Sequence, residues 1–237
     1  MMTQEHLGDA IDTVRRFCDA SFPGASLVLL CGSWARGQAR ADSDLDVIVV
    51  DPGMSDILCQ AVTFDSWLIE VCALPPARIE HFFGEGKQHR SAPVVNQVLD
   101  AIIVSGDKAL ARQIRETALR VLRDGPNPLS DVERLELRWG LTALLNDLAH
   151  VTVSEVPAVA AQCHTALARA SLDSACAWRG ERKALRQALV QASPALAERL
   201  DQGLIAACQG DRQPLFEVGQ EVLAALGGTQ RTYVERY

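Results

Sequence analysis

Three aspartates alternate along a short polar stretch that leads directly into an apolar run. Asp42, Asp44 and Asp46 lie in ADSDLDVIVV, which spans 41–50. Residues two apart on a strand point to the same side, so Asp44 and Asp46 share a face, about 7 Å apart along the backbone. Two carboxylates this close repel each other and raise each other's pKa. The pair therefore indicates a cation between them, and Mg²⁺ favours carboxylate and phosphate oxygens. A solvated strand start with an Asx turn is the alternative.

A Gly-Ser pair follows the preceding apolar run, SLVLLC at 26–31. After Gly32 and Ser33, the sequence WARGQA can begin a short helix. Glycine lets a phosphate approach the backbone closely, and the start of a helix offers free N–H groups and a positive dipole end. Ser33 adds a hydroxyl. A phosphate cradle and paired carboxylates on consecutive elements predict a nucleoside triphosphate bound with Mg²⁺.

These residues together resemble the signature of the DNA polymerase β-like nucleotidyltransferase superfamily. The chain is similar to the bacterial branch that includes the aminoglycoside nucleotidyltransferases. The signature reads GS-x-ARG-x(5)-SD-x-D before an apolar strand, and the resemblance covers about 20 continuous residues. The matching positions are Gly32, Ser33, Ala35, Arg36, Gly37, Ser43, Asp44, Leu45 and Asp46. Asp42 precedes the signature and is interpreted as a turn residue or as outer-sphere support.

The family has a third carboxylate on a later strand, and Glu70 in WLIEVCAL is the best match. An unpaired charge inside an apolar strand is costly unless it has a function. Asp65 is the alternative, although it lies where a turn is predicted. A third interpretation makes Glu70 the partner of a basic residue such as Arg78.

The resemblance implies a mechanism as well as a site. Asp44, Asp46 and Glu70 would be the catalytic and metal-binding residues, with two Mg²⁺ ions bridging the triphosphate of an NTP, for which ATP is the expectation. An acceptor hydroxyl would attack the α-phosphorus and expel pyrophosphate. Arg36 could equally pair with a nearby aspartate and hold the turn. The implied nucleotide-binding residues are Gly32, Ser33, Arg36, Ser43 and Lys183.

The second half of the chain would supply the acceptor pocket. RGERKALRQAL at 179–189 is strongly basic, and Lys183 followed by Arg186 loosely matches a Lys-Arg element of related helical domains. A solvated helix face is the alternative. Candidates for the general base are Glu133, Glu136 and Asp147, and further polar candidates are Arg138 and His150.

The pattern of apolar residues predicts the elements that position these groups. Apolar spacing predicts a helix over 3–21, and apolar runs predict strands at 26–31, at 45–50 and from about 62 to 74, the last with a hairpin turn at Asp65-Ser66. After Pro76, β-branched runs fade and helix formers dominate. Helices are predicted near 77–84, 91–104, 107–123, 130–150, 155–178, 181–191, 194–208 and 213–226.

The predicted fold is an α/β (α+β) nucleotidyltransferase domain with a small mixed sheet, followed by an all-α helical-bundle domain. The predicted division is 1–90 and 91–237, with the boundary anywhere from 90 to 128. Asp124-Gly125-Pro126-Asn127-Pro128 is the strongest break, and SDVE after it at 130–133 forms a capping box.

Composition and charge disfavour two classes of function, binding of a long nucleic acid and insertion into a membrane. The chain has 237 residues and a net charge of −7. Residues 1–90 carry 13 acids against 7 basic residues, whereas 91–237 carry 17 against 16. An acidic chain has no electrostatic reason to bind a long nucleic acid, although it suits metal ions or a cationic substrate. No apolar run is long enough for a membrane span, and no signal peptide is evident, so a cytoplasmic protein is expected.

Seven cysteines, an odd number with no CxxC spacing, make a disulfide framework or a zinc site an unfavoured interpretation. Most of them are expected to pack as small hydrophobic residues.

Three functions remain. The first is transfer of a nucleoside monophosphate from an NTP to a hydroxyl of a small acceptor, with an aminoglycoside-like molecule as one example. The second is nucleotide transfer to a partner protein, or AMPylation, of toxin–antitoxin type. The third is a non-catalytic nucleotide-binding module. Whether the long apolar helices also form a homodimer is left open.

Overall fold

A mixed five-stranded sheet organises the first of two units, in a computed structural model that describes residues 4–232 apart from the side chains of residues 4, 5 and 183. This unit extends to Lys87 and resumes over Ala92–Asp124. The strand order is β3-β4-β2-β1-β5, in which β2 and β4 are parallel and the other neighbours antiparallel. The strands are β1 (Leu27–Leu30), β2 (Leu45–Val50), β3 (Leu58–Phe64), β4 (Trp67–Leu74) and β5 (Ile102–Gly106).

Helices cover the apolar sheet. Both β1 and β2 are almost wholly buried, as the continuous runs LVLL and VIVV predict for strands covered on both faces. Val14 and Phe17 of the first helix pack into the same core as these strands. The helices of this unit are α1 (Gln4–Ser21), α2 (Gly32–Ala35), α3 (Ile79–His89), α4 (Pro93–Asp100) and α5 (Lys108–Asp124), with a short 3₁₀ turn at Pro76–Arg78.

The predicted hairpin turn is confirmed. Asp65 and Ser66 join β3 to β4 with φ values of 47° and 68°. A two-residue turn with both φ values positive matches the right-handed twist of the paired strands. The turn leaves β3 at the outer end of the sheet, and β3 begins earlier than predicted, at Leu58.

The predicted helix over 91–104 is wrong in its second half. Helix α4 ends at Asp100, and Ile102–Gly106 forms β5, which pairs antiparallel with β1. The β-branched residues of IIV fit a pleated strand better than a helix. Gly106 has a φ of 101°, and any side chain there would collide with the Ser26 backbone. The sequence pattern did not show that β1 had an open edge for this strand.

The second unit is a helical bundle that comprises Gln88–Ser91 and the described residues from Gly125 onward. Its core is formed by leucine and alanine side chains, among them Leu145, Leu167 and Leu200. The predicted helices in this region are confirmed, although α7 ends at Ser174, short of 178. The helices are α6 (Asp131–His150), α7 (Val156–Ser174), α8 (Lys183–Ala192), α9 (Pro194–Cys208) and α10 (Gln213–Leu226).

The main division between the units falls at Asp124-Gly125, inside the predicted range of 90 to 128. The short segment 88–91 belongs to the helical unit because Arg90 is buried there, with 5% of its surface exposed. Its guanidinium donates to the carbonyl oxygens of Asn127 and Pro128 and to Glu133 at 2.8 Å. A domain boundary at 90/91 stays a prediction.

The cysteines depart from the prediction of small buried residues. Cys59 and Cys72 form a disulfide across β3 and β4, where they are directly opposite and 4.2 Å apart at Cα. This pair could not be predicted from spacing alone, because two cysteines 13 residues apart become neighbours only through the hairpin register. Of the others, Cys18, Cys31 and Cys163 are buried, whereas Cys176 and Cys208 are exposed.

Over residues 4–232, no helix has the length and apolar character needed to cross a membrane.

Ser130 caps the N-terminus of α6, and its substitution tests how much the cap stabilises the helix. The Ser130 hydroxyl accepts from the Glu133 N–H, and the Glu133 side chain accepts from the Ser130 N–H, which completes the capping box. Ser130→Ala should lower the free energy of unfolding by about 1 kcal/mol. Ser193→Ala is the matched control, since Ser193 precedes α9 without a side-chain capping bond. Urea denaturation followed by circular dichroism should show a smaller midpoint for S130A alone; equal effects of both changes would contradict the capping role.

Candidate active site

The sheet brings two of the predicted carboxylates together. Asp46 on β2 lies in register with Glu70 on the parallel neighbour β4. Adjacent strands are about 4.8 Å apart, so their side chains stand side by side on one face of the sheet. Asp44 directly precedes β2 and lies two residues before Asp46, which gives it the same parity.

The carboxylate most affected by this arrangement is Asp46, whose pKa is shifted. Its pKa is raised to about 6, first by burial and then by the charges of Asp44 and Glu70, whereas Arg36 acts in the opposite direction. The negative charges are thus only partly compensated by the protein. A bound cation would remove this repulsion, which is the behaviour expected of a metal site.

Gly32 is required where the backbone passes Asp46. Its φ is +66°, in the left-handed region, and a Cβ at this position would collide with the Asp46 carboxylate. The backbone also joins the two elements directly, because the Cys31 N–H donates to the Asp46 carbonyl oxygen at 2.8 Å. The Gly-Ser turn at the end of β1 is therefore held against the carboxylate on β2.

Two polar atoms beside this turn are buried without a partner among the described residues. They are Ser33 Oγ and Trp34 Nε1. Trp34 has 2% of its surface exposed and packs edge-on against Trp67. A buried polar group without a hydrogen bond costs about 1–3 kcal/mol, so such atoms call for a ligand or a water molecule. Ser33 was predicted as a nucleotide-binding residue, whereas Trp34 was not.

The helix predicted after Gly32-Ser33 is shorter than WARGQA. Helix α2 is a single turn, Gly32–Ala35, so its dipole adds little to the site. Arg36 follows it, with its guanidinium 3.9 Å from Asp100 on α4. The alternative interpretation of Arg36, as the partner of a nearby aspartate, is therefore observed alongside its influence on Asp46.

The loop before β2 is shaped by its own side chains. The Arg40 N–H donates to Ser43 Oγ at 2.9 Å, and the Arg40 guanidinium pairs with Asp42 at 3.1 Å. Asp42 is thus a turn residue, in agreement with one of its two predicted roles. Ser43 uses its hydroxyl to close the loop that presents Asp44.

The suggested partner of Glu70 and the rival third carboxylate both form ion pairs with other residues. Arg78, its suggested partner, instead pairs with Asp56 at 2.9 Å. Asp65, the rival third carboxylate, lies in the hairpin turn and pairs with Arg16 at 2.9 Å. Glu70 is exposed on the face that it shares with Asp46, which leaves it available to a ligand.

Gln97 on α4 is a site residue that the sequence did not indicate. Its Nε2 donates to Asp46 Oδ1 over a long 3.4 Å. Gln97 and Val94 line a cleft of about 350 Å³ that Asp46 and Glu70 also line. Sequence spacing could not place Gln97 here because the pattern extended its helix through β5.

The structure offers less support for the nucleotide-binding and general-base candidates in the helical unit than for the carboxylates on the sheet. The Lys183 side chain lies outside the described residues. Arg186 pairs with Asp201 at 2.7 Å. The pKa of Glu133 is lowered to about 2 by the Ser130 backbone and hydroxyl and by Arg90, so Glu133 is a poor general base. Asp147 is exposed on α6.

Metal binding by Asp44, Asp46 and Glu70 is supported by charge and position rather than by an assembled cage. Within residues 4–232, no three His, Cys, Asp or Glu side chains are gathered closely enough to form a complete metal site. The donor chemistry nevertheless fits Mg²⁺, which binds through one or two carboxylates and takes its remaining ligands from water and phosphates.

The mixed five-stranded sheet has the fold of a nucleotidyltransferase domain. The Gly-Ser turn and the adjacent carboxylates lie on this sheet. A family model described as "Nucleotidyltransferase domain" matches residues 11–118, so this part of the chain is similar to that family. The resemblance read from Gly32 to Asp46 is therefore confirmed at the level of the family.

Comparison with known structures and curated proteins adds little more. A nucleotidyltransferase-like protein from Exiguobacterium sibiricum 255-15 is similar at 11% identity and a TM-score of 0.46, over 91% of this chain and 74% of that one. This likeness is too distant to bear on function. No curated protein matches the chain.

The raised pKa of Asp46 predicts how the ligand-free protein responds to pH. The folded state holds this proton up to about pH 6, whereas the unfolded carboxyl loses it near 3.8, so stability falls as pH rises through this interval. Asp46→Asn should therefore be more stable than wild type at pH 8 by about 1–2 kcal/mol, after a discount for partial exposure, and equal to it near pH 3.5. Denaturation without divalent ions measures this difference.

Asp42→Asn is the control, because Asp42 pairs with Arg40 on the exposed surface and should show a change below about 0.5 kcal/mol. If D46N were no more stable than wild type at pH 8, the inference that the charge of Asp46 is only partly compensated would be wrong.

Proposed function

We propose that the chain is a Mg²⁺-dependent nucleotidyltransferase that moves a nucleoside monophosphate from an NTP, with ATP as the expected donor, to a hydroxyl of a small acceptor. The single observation that carries this proposal is the close approach of Gly32 to the Asp46 carboxylate. It sets a backbone turn suited to phosphate beside carboxylates suited to a cation. Both requirements of a metal–triphosphate complex therefore meet at one point of the sheet.

Each residue of the site has a role in this proposal. Gly32 leaves room for the Asp46 carboxylate beside the turn. The Ser33 hydroxyl, which has no partner among the described residues, would donate to a phosphate oxygen on the same turn. Asp44, Asp46 and Glu70 would hold Mg²⁺, which when bound neutralises phosphate charge and lowers the pKa of an acceptor hydroxyl. Arg36 would contribute positive charge at the same edge. The chain's own contribution is positioning and charge compensation.

The acceptor is proposed to be small and hydroxylated. The acid excess of residues 1–90 suits a cationic molecule, as an aminoglycoside-like acceptor would be. Glu133 is committed to its cap and to Arg90, so it is not proposed as the general base.

Removal of the carboxylate charges tests the proposal. Asp44→Asn with Asp46→Asn should lower nucleotide incorporation by about 100-fold or more, because the charge that holds the cation is lost. The assay supplies Mg²⁺, NTPs labelled at the α-phosphate, and acceptors that include aminoglycosides, lincosamides and lysate protein. Circular dichroism checks that the double variant is folded.

Asp42→Asn is again the matched control and should retain full incorporation. Label on a small molecule supports the proposal, whereas label on a protein band indicates the AMPylating alternative. Undiminished incorporation by the folded double variant would show that the site is elsewhere.

A further inference from the structure

The Cys59–Cys72 disulfide forms part of the cleft that contains the candidate carboxylates. Cys72 follows Glu70 by two residues on β4, so both side chains share one face of the sheet. Cys59 lies opposite Cys72 on β3, and Ala61 of the same strand lies opposite Glu70. Both cysteines line the same cleft of about 350 Å³ as Asp46 and Glu70. The bond is therefore a wall of the proposed active site.

Small thiols can reach this pair but not the buried cysteines. Cys59 is exposed and Cys72 is half-buried. By contrast, burial raises the pKa of the Cys18, Cys31 and Cys163 thiols to about 12, so they stay protonated and unreactive. Disulfide exchange needs attack by a thiolate on an accessible sulfur. Cys59 and Cys72 meet this requirement and also lie opposite each other.

The bond fixes the outermost strand to the strand that carries Glu70. β3 ends the sheet, and its first four residues are exposed. These four residues are therefore held by their pairing with β4 rather than by burial. Reduction removes the covalent link between β3 and β4. The two sulfur atoms must then separate to non-bonded distance, and the freed thiols occupy more of the cleft beside Glu70.

We propose that Cys59 and Cys72 are a redox-modification site that sets the affinity of the cleft for a metal–nucleotide complex, an inference that rests on the proposed nucleotidyltransferase function. The disulfide form binds the complex more tightly, and the dithiol form binds it more weakly. The co-reactant is a low-molecular-weight thiol of the glutathione class.

The exchange is balanced in atoms and electrons. One external thiolate attacks a protein sulfur, forms a mixed disulfide and releases the other cysteine, which takes up a proton. A second external thiolate then attacks the mixed disulfide, and the second protein cysteine leaves and is protonated. The net two-electron reaction converts the protein disulfide and two thiols into two cysteine thiols and one small disulfide.

Nucleotide affinity and redox state must be coupled in both directions. If the disulfide form binds the nucleotide more tightly by some factor, the nucleotide protects the disulfide from reduction by the same factor. We expect a coupling of about fivefold or more, the lower end of typical values. A fivefold change equals about 20 mV in a two-electron potential, at 29.6 mV per factor of ten.

The test uses the full chain with Cys176→Ser and Cys208→Ser, which removes the two exposed single thiols and keeps the pair. Calorimetry measures binding of Mg²⁺ with a non-hydrolysable ATP analogue to the oxidised and reduced forms. In parallel, the protein is equilibrated in glutathione buffers with and without this complex, and free thiols are alkylated and counted by mass spectrometry. Cys59→Ser with Cys72→Ser should bind the complex equally in both buffers.

Tighter binding by the oxidised form and a matching shift of the redox midpoint would support the inference. Equal affinity of the oxidised and reduced forms would overturn the inference, and so would a cysteine pair that stays reduced in oxidising buffer. Neither result would contradict the proposed function. No binding by either form would contradict the proposed function and the inference together. If the double serine variant does not fold, the comparison of oxidised and reduced chain decides alone.

Discussion

The close approach of the Gly32 backbone to the Asp46 carboxylate is the contact on which the rest of the site depends. It requires a residue without a Cβ and with a left-handed φ of +66°. It also requires β1 and β2 to be neighbours, which their antiparallel pairing provides. A glycine at this position costs conformational entropy on folding, so its presence reflects what the turn must accommodate.

The sheet concentrates negative charge at the same place. The parallel pairing of β2 and β4 sets Glu70 beside Asp46, and the loop closed by Ser43 presents Asp44. Arg36 offsets part of this negative charge, but the pKa of Asp46 stays raised. Such uncompensated repulsion destabilises the ligand-free fold and is tolerated where a cation restores the balance.

The sequence predicted the parts of this account that depend on local pattern. The apolar runs indicated β1, β2 and β4, the pair Asp65-Ser66 indicated the hairpin, and the capping box marked the start of α6. Features that depend on register could not be read in this way. β5, the Cys59–Cys72 disulfide and the contact of Gln97 with Asp46 all follow from which strands and helices become neighbours. Assignment of Glu70 relied on the family resemblance, and its role stays a prediction.

The most direct test of the central claim is a crystal structure of the chain with Mg²⁺ and a non-hydrolysable ATP analogue. We expect a metal ion held by Asp44 and Asp46, with Glu70 beside it, and triphosphate oxygens on the Gly32-Ser33 turn. We also expect Ser33 Oγ, unpartnered in the ligand-free chain, to contact a phosphate. A metal–nucleotide complex bound elsewhere, or no nucleotide on the turn at saturating ligand, would contradict the proposed site.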